Sequence, residues 1–175
     1  MPGIQKVEGF VLRKRELLED DFSVTLFTKE YGKLSVIAKG ARSFRSRRGA
    51  HLQTGYLIKA RLSEHHDTFY ISSTDLVSAF SEVRTQEKMD VMYLYFYILD
   101  RMLPERVPEE YIYNTSLKLF INLSKKLDSH SLFLQQTLHK VLSTLGYIDN
   151  PLTLHEMLDI VEQNINEKLP RRVIM

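Results

Sequence analysis

The N-terminal part of the chain has the pattern of short strands separated by turns. Runs rich in β-branched and aromatic residues, with partial alternation of apolar and polar positions, lie between glycine-containing or charged turns. These runs cover residues 5–18, 22–28, 34–38, 55–62 and 68–72. Five short strands within about 75 residues are typical of a small barrel of the oligonucleotide/oligosaccharide-binding (OB) type. We therefore predict a five-stranded OB-type β-barrel.

Beyond the last predicted strand the apolar spacing becomes helical, and glycine falls to the single residue Gly146. Four helices are predicted: one from about Met89 to Pro104, one from about Glu109, one from Ser131 to a cap at Gly146, and one from a Thr153 capping box to about Leu169. We expect the tail 171–175 to be loose. The predicted fold class is α+β in two parts, with an OB-fold nucleic-acid-binding domain at 1–80 and an all-α helical domain at 81–175.

Composition excludes several classes of protein. No apolar run is long enough to span a bilayer, and the N-terminus does not resemble a signal peptide, so a cytoplasmic location is expected. The chain has no cysteine, which excludes disulfides, thiol catalysis, thiolate zinc sites and iron–sulfur clusters within this sequence.

Charge is distributed unevenly, although the net charge is only +2. Residues 29–61 contain nine lysines and arginines against one acid, Glu30, whereas residues 82–175 contain eleven basic and thirteen acidic residues. This segregation is typical of a basic ligand-binding module joined to a neutral or acidic one, and nucleic acid is the commonest partner. A solvated arginine-rich loop without a ligand is the alternative.

The basic segment from Lys39 to Arg48 is the candidate phosphate-binding loop. Gly40 admits unusual backbone angles and a close approach, and the arginines offer bidentate forks to phosphate. Phe44 is a candidate for base stacking, with packing back onto the loop as the alternative. The candidate DNA-binding residues are Lys33, Lys39, Gly40, Arg42, Phe44, Arg45, Arg47, Arg48, Lys59 and Arg61. Contact with about five phosphates of a single strand predicts a log–log salt slope of about −3.5.

No catalytic or metal-binding pattern accompanies this loop. His65 and His66 lie in a polar turn with Asp67, where adjacent side chains are expected to point apart, and the other histidines lack ligand spacing. The acidic residues between 16 and 21 match no calcium loop. We therefore predict a protein that is not an enzyme, with no catalytic residue, no metal and no cofactor.

Four motifs in a fixed order resemble the RecO family of bacterial recombination mediators. They are EGFVL at 8–12, TLFTKEYGKL at 25–34, AKGAR at 38–42 and LVSAF at 76–80. The segment LSTLGY at 142–147, followed by Pro151, is similar to the helical part of the family. Many members carry a four-cysteine zinc module after that segment. Since this chain has no cysteine, we expect a compact, zinc-free member.

The resemblance implies binding and annealing of single- and double-stranded DNA without covalent chemistry, and a nucleoid-associated location. It also implies work with RecR to load RecA onto DNA coated with single-strand-binding protein, whose acidic, hydrophobic C-terminal tail would dock on the helical part. Two alternatives stay open: an RNA-binding OB protein, because charge and aromatic residues do not distinguish DNA from RNA, and a protein–protein adaptor whose basic loop docks on an acidic partner.

Overall fold

The computed structural model describes residues 4–83, 85–125 and 129–170. The chain forms two compact units, one comprising Met1–Ala79 and Leu103–Glu110 and the other Phe80–Met102 and Tyr111–Met175. The division into two domains, 1–80 and 81–175, stays a prediction. The tail 171–175, which we expect to be loose, lies outside the described residues.

The first unit contains a closed five-stranded barrel. Its strands are β1 (Ile4–Glu16), β2 (Phe22–Thr28), β3 (Gly32–Ala38), β4 (Leu57–His65) and β5 (Thr68–Ser78). They are arranged in the order β1-β2-β3-β5-β4, and β4 pairs with β1 to close the barrel. All pairs are antiparallel except β3 with β5. The predicted five-stranded OB-type barrel is confirmed.

The barrel core follows the alternation of each strand. Phe22, Val24 and Leu26 of β2 face the interior, as do Ala60 and Leu62 of β4, and all of them are buried in one hydrophobic cluster. Successive side chains of a strand point to opposite faces, so the residues between them face outwards. On β4 these outward residues are the exposed Lys59 and Arg61, whereas Thr25 and Phe27 of β2 are buried on the outer face as well.

A short helix that the sequence did not predict, α1 (Arg47–His51), lies between β3 and β4. Ala41 before it and Leu52 after it are both buried in the barrel core, so they fix the two ends of this segment. A five-residue helix is too short to display a helical period, which explains why the segment reads as irregular in the sequence.

Four longer helices form the second unit and confirm the predicted all-α part. They are α2 (Gln86–Met102), α3 (Glu110–Leu123), α4 (His130–Thr144) and α5 (Leu154–Ile165). The predicted capping box is present, because Thr153 Oγ1 accepts the Glu156 N–H at 3.3 Å and Glu156 Oε2 accepts the Thr153 N–H at 2.8 Å. The prediction that α5 reaches Leu169 is wrong, since Asn166 adopts a left-handed conformation with φ of 54°.

Aromatic residues of α2 and α3 pack together in the core of the second unit. Phe96 stacks on Phe120 with ring centroids 4.9 Å apart. The Tyr95 hydroxyl lies 2.6 Å from Ser116 Oγ, which donates to the Ile112 carbonyl at 2.8 Å. Burial raises the pKa of Tyr95, so the phenol stays neutral and its one polar atom is satisfied.

The segment Leu103–Glu110 belongs to the barrel unit and lies along β3. The Arg106 N–H donates to the Lys33 carbonyl at 2.8 Å, and Ser35 Oγ donates to Glu105 Oε1 at 3.1 Å. β5 pairs only with the last part of β3, so this segment covers the part of the β3 edge that β5 leaves open. We call it the β3 strap.

The close contact between β3 and the β3 strap requires glycine at position 32. Gly32 has φ of +68°, and a Cβ there would lie 1.9 Å from the Val107 carbonyl oxygen of the strap. We expect Gly32→Ala to lower the free energy of unfolding by at least about 2 kcal/mol, because it combines backbone strain with a backbone clash. Urea unfolding followed by circular dichroism measures the change.

Gly40→Ala is the matched control, since Gly40 has φ of +61° but no atom within 4 Å of the added Cβ. It should lose only the strain of the left-handed conformation, about 1 kcal/mol. Equal losses for the two variants would contradict the proposed contact between β3 and the strap.

Candidate nucleic-acid interface

The basic loop, residues 39–48, is held at its start by the acidic turn between β1 and β2. The Gly40 N–H donates to Asp21 Oδ1 at 2.7 Å, and the Arg42 N–H donates to the Asp20 carbonyl at 2.8 Å. Gly40 has a positive φ, which turns its N–H towards this carboxylate. The loop therefore leaves the barrel in a direction fixed by hydrogen bonds to the turn.

Arg48 holds the other end of the basic loop. Its guanidinium donates to the Ile71 carbonyl of β5 at 2.8 Å and to the Lys39 carbonyl at 2.7 Å. One side chain thus ties the first residue of the loop to the fifth strand. Two of the five guanidinium donors are used within the protein, so Arg48 is chiefly a positioning residue.

Arg42 is paired with acids of the same turn. Its Nη1 lies 3.4 Å from Glu16 Oε2, and its Nε lies 3.8 Å from Asp20 Oδ1. All three side chains are about half exposed or more, and ion pairs of this kind contribute about 0–1 kcal/mol. A phosphate group can exchange with these carboxylates at little cost.

Phe44, Arg45 and Arg47 extend into solvent. Phe44 has an exposed fraction of 105%, so it does not pack back onto the loop, and that alternative is wrong. Within the part of the chain that the structure describes, Arg45 and Arg47 make no ion pair or hydrogen bond through their side chains. Two unpaired guanidinium groups that closely follow an exposed ring in the chain offer phosphate binding and base stacking together.

Lys39 extends the same surface towards β5. It is exposed, and its Nζ lies 5.1 Å from the centre of the Tyr70 ring. A cation above an aromatic face is stabilised by the ring quadrupole. Seven of the ten predicted site residues lie in the basic loop: Lys39, Gly40, Arg42, Phe44, Arg45, Arg47 and Arg48.

The remaining three predicted residues lie elsewhere on the barrel. Lys33 has an exposed fraction of only 9% and lies on β3 beside the β3 strap, so it does not extend the exposed surface of the loop. Lys59 and Arg61 face outwards on β4 and line a groove of about 470 Å³ on the outer face of β1 and β4. No residue of the basic loop lines this groove.

Two further cations line this groove that were not predicted as site residues, Lys6 of β1 and Lys29 directly after β2. Lys6 is the direct cross-strand neighbour of Arg61, and that register cannot be read from either strand alone. The available signal for Lys6 was its exposed position next to the buried Val7. We call this feature the β1–β4 groove.

Two neighbouring histidines lie at the end of β4 and in the turn that follows it. Contrary to expectation, the rings of His65 and His66 do not point apart, since their centroids are 4.3 Å apart. Even so, no three histidine or acidic side chains in the described ranges are grouped to hold a metal ion. No helix in the described part of the chain is both long and apolar enough to cross a membrane.

Arg48 and its neighbour Arg47 have different contacts, because only the Arg48 side chain bonds to the backbone of other segments. We expect Arg48→Gln to lower the free energy of unfolding by about 2 kcal/mol, because hydrogen bonds to charged donors contribute about 1.5–3 kcal/mol. Arg47→Gln should change it by less than about 0.5 kcal/mol, as is usual at an exposed site. Urea unfolding of both variants tests this, and equal stabilities would show that Arg48 does not anchor the loop.

Comparison with known proteins locates the barrel in a family. Residues 1–80 match the family described as Recombination protein O N terminal. The DNA repair protein RecO of Caldanaerobacter subterraneus is 32% identical over 148 residues, which cover 82% of this chain and 58% of the relative. That of Exiguobacterium sibiricum is 32% identical over 126 residues, covering 71% and 49%.

More distant relatives carry the same name. The DNA repair protein RecO of Listeria monocytogenes is 26% identical over 133 residues, covering 71% of this chain and 49% of the relative. The chain thus spans between 49% and 58% of the length of these curated relatives, and the expectation of a compact, zinc-free member stays a prediction. The matched family, the shared barrel and the similarity over most of the chain lead to one assignment: this chain belongs to the RecO family.

Proposed function

We propose that this protein is a non-enzymatic, DNA-binding recombination mediator that acts in DNA repair. It binds and anneals single-stranded DNA and, with RecR, helps to load RecA onto DNA coated with single-strand-binding protein. The observation that carries the proposal is the basic loop, where Arg45 and Arg47 have no side-chain partner among the described residues and follow the fully exposed Phe44. Relatives of the same family are named DNA repair proteins, which supports the choice of DNA.

The basic loop suits a single strand of any sequence. Arg45 and Arg47 bind phosphates of the strand through paired N–H groups, and Phe44, directly before them in the chain, stacks on a base. Phosphate contacts and stacking carry little sequence information, and they leave the pairing edges of the bases open. A strand bound in this way has part of its charge neutralised and can still meet its complement, as annealing requires. Double-stranded DNA would bind through the same phosphate contacts.

The helical unit offers a surface for a protein partner. A groove of about 530 Å³ on α4 and the segment after it is lined by Leu132, Gln135, Gln136, His139, Lys140, Pro151 and Leu152. Leu132 is half exposed, Lys140 is exposed, and His139 Nε2 is shielded from solvent without a hydrogen-bond partner among the described residues. An apolar groove with a cation at its side is complementary to the acidic, hydrophobic C-terminal tail of single-strand-binding protein, and we assign the tail to it.

The other proposed partners are RecR and, through RecR, RecA. If the ligand is chromosomal DNA, the protein is located in the cytoplasm and associated with the nucleoid. The RNA-binding alternative uses the same loop, since phosphate contacts and base stacking are available to both DNA and RNA. The binding experiment distinguishes this alternative and the adaptor alternative from the proposed function.

The basic loop predicts a strong and specific dependence on salt. Fluorescence anisotropy with labelled single-stranded DNA should give a log–log slope of about −3.5 for the wild type, and Arg45→Gln/Arg47→Gln should make it shallower by about 1.4, since each contact contributes about 0.7. The control Lys118→Gln/Lys125→Gln removes two exposed charges of the helical unit and should keep the wild-type slope.

Three outcomes of that experiment would contradict the proposal. An unchanged slope in Arg45→Gln/Arg47→Gln would exclude the loop as the site. Undetectable binding by the wild type at low salt would favour the adaptor. Binding at least tenfold tighter to RNA of the same sequence would favour the RNA-binding alternative, because a site that reads the 2′-hydroxyl distinguishes the two by about 1.4 kcal/mol or more.

The groove on α4 predicts a separate set of variants for the partner. Leu132→Glu/Lys140→Glu should weaken the binding of a labelled peptide with the acidic, hydrophobic tail about tenfold or more, because it places negative charge on both the apolar and the cationic side of the groove. Ile121→Glu changes an equally exposed apolar residue of α3 and should leave binding unchanged. Equal affinities for the two variants would place the peptide elsewhere.

A further inference from the structure

The outer face of the barrel carries a row of three groups that suit a phosphate. Lys6 of β1 is the cross-strand partner of Arg61 of β4, and Arg61 is in turn the partner of Ser73 of β5. Lys6 and Arg61 are exposed, and Ser73 is half-buried. Adjacent strands lie about 4.8 Å apart, so two cations and a hydroxyl lie side by side across roughly 10 Å.

This row is electrostatically unfavourable for the barrel by itself. Like charges directly opposite each other on neighbouring strands destabilise a sheet. Within the described ranges, neither Lys6 nor Arg61 has an acid at ion-pair distance. In the next row the cross-strand neighbours of Lys59 are the acids Glu8 and Asp75, which also line the groove. Opposite charges therefore alternate across that row, whereas the Lys6–Arg61 row holds two like charges and no acid.

An anion between Lys6 and Arg61 would remove this repulsion. Both side chains line the β1–β4 groove, which is open to solvent and large enough for a phosphate with its sugar. The groove shares no lining residue with the basic loop. A ligand can therefore occupy the groove while another occupies the loop.

We propose that the Lys6–Arg61 row is a second phosphate-binding site, independent of the basic loop, that holds the backbone of a second nucleic-acid strand. The proposal rests on the proposed function, because a second strand has meaning only if the loop binds a first. Two strands held on one barrel are at a high effective concentration relative to each other. The barrel then raises the annealing rate by bringing the strands together as well as by screening their charge.

The first experiment counts strands. Oligothymidylate of roughly eight nucleotides is titrated into the full chain at low salt, and the bound strands per chain are counted by native mass spectrometry. The wild type should bind two, and Lys6→Gln/Arg61→Gln should bind one. The control Lys118→Gln/Lys125→Gln removes two exposed charges of the helical unit, away from the groove, and should bind two.

The second experiment measures annealing. Lys6→Gln/Arg61→Gln should keep the affinity of the loop for one strand within about twofold and slow annealing of complementary labelled strands about tenfold or more, since the gain from effective concentration is lost. Its melting temperature should stay the same or rise, because the variant relieves repulsion between like charges. A row that is merely structural would lower the melting temperature instead.

The outcomes separate this inference from the function on which it rests. One strand per wild-type chain, or annealing by Lys6→Gln/Arg61→Gln at the wild-type rate, would overturn the second site and leave the proposed function in place. Loss of the first strand from that variant would show a single continuous site and would also overturn the inference. No strand bound by the wild type would overturn the proposed function itself.

Discussion

Parallel pairing of β3 with β5 is the constraint on which the rest of the barrel depends. Only the pairs of Val36 with Phe69 and Ile37 with Tyr70 join these strands, yet they close the sheet. Because β3 lies beside β5, the chain cannot form a hairpin into β4 and must cross the end of the barrel between residues 38 and 57. That crossing is the basic loop with α1. The topology that closes the barrel thus creates the segment that carries the arginines.

The four arginines of the basic loop look alike in the sequence but have different contacts in the folded protein. Arg48 bonds two carbonyl groups and holds the crossing against β5, and Arg42 is paired with the acids Glu16 and Asp20. Arg45 and Arg47 have no such side-chain partner among the described residues. Charge density alone therefore overstates the binding capacity of the loop, and the acids between β1 and β2 contribute as much to its shape as the arginines do.

Local patterns predicted much of this structure, and contacts distant in sequence account for what they missed. Alternation located all five strands, but β5 runs on to Ser78 because pairing with β4 continues through Ser73 and Thr74, which show no apolar alternation. The buried position of Lys33 depends on the β3 strap, some seventy residues later in the chain. The cross-strand pair of Lys6 and Arg61 depends on register. Order of motifs identified the family, whereas no pattern in one strand could separate the groove from the loop.

The anchoring of the loop by Arg48 and Asp21 has a consequence for the order in which the protein folds. Asp21 can accept the Gly40 N–H once β2 and β3 have paired, but Arg48 reaches the Ile71 carbonyl only after β5 has joined the sheet, which is a less local and slower step. The surface proposed to bind nucleic acid is therefore completed late, and a partly folded chain lacks it. Since a ligand that binds only the native state stabilises that state, DNA would select the closed barrel over every incompletely folded form.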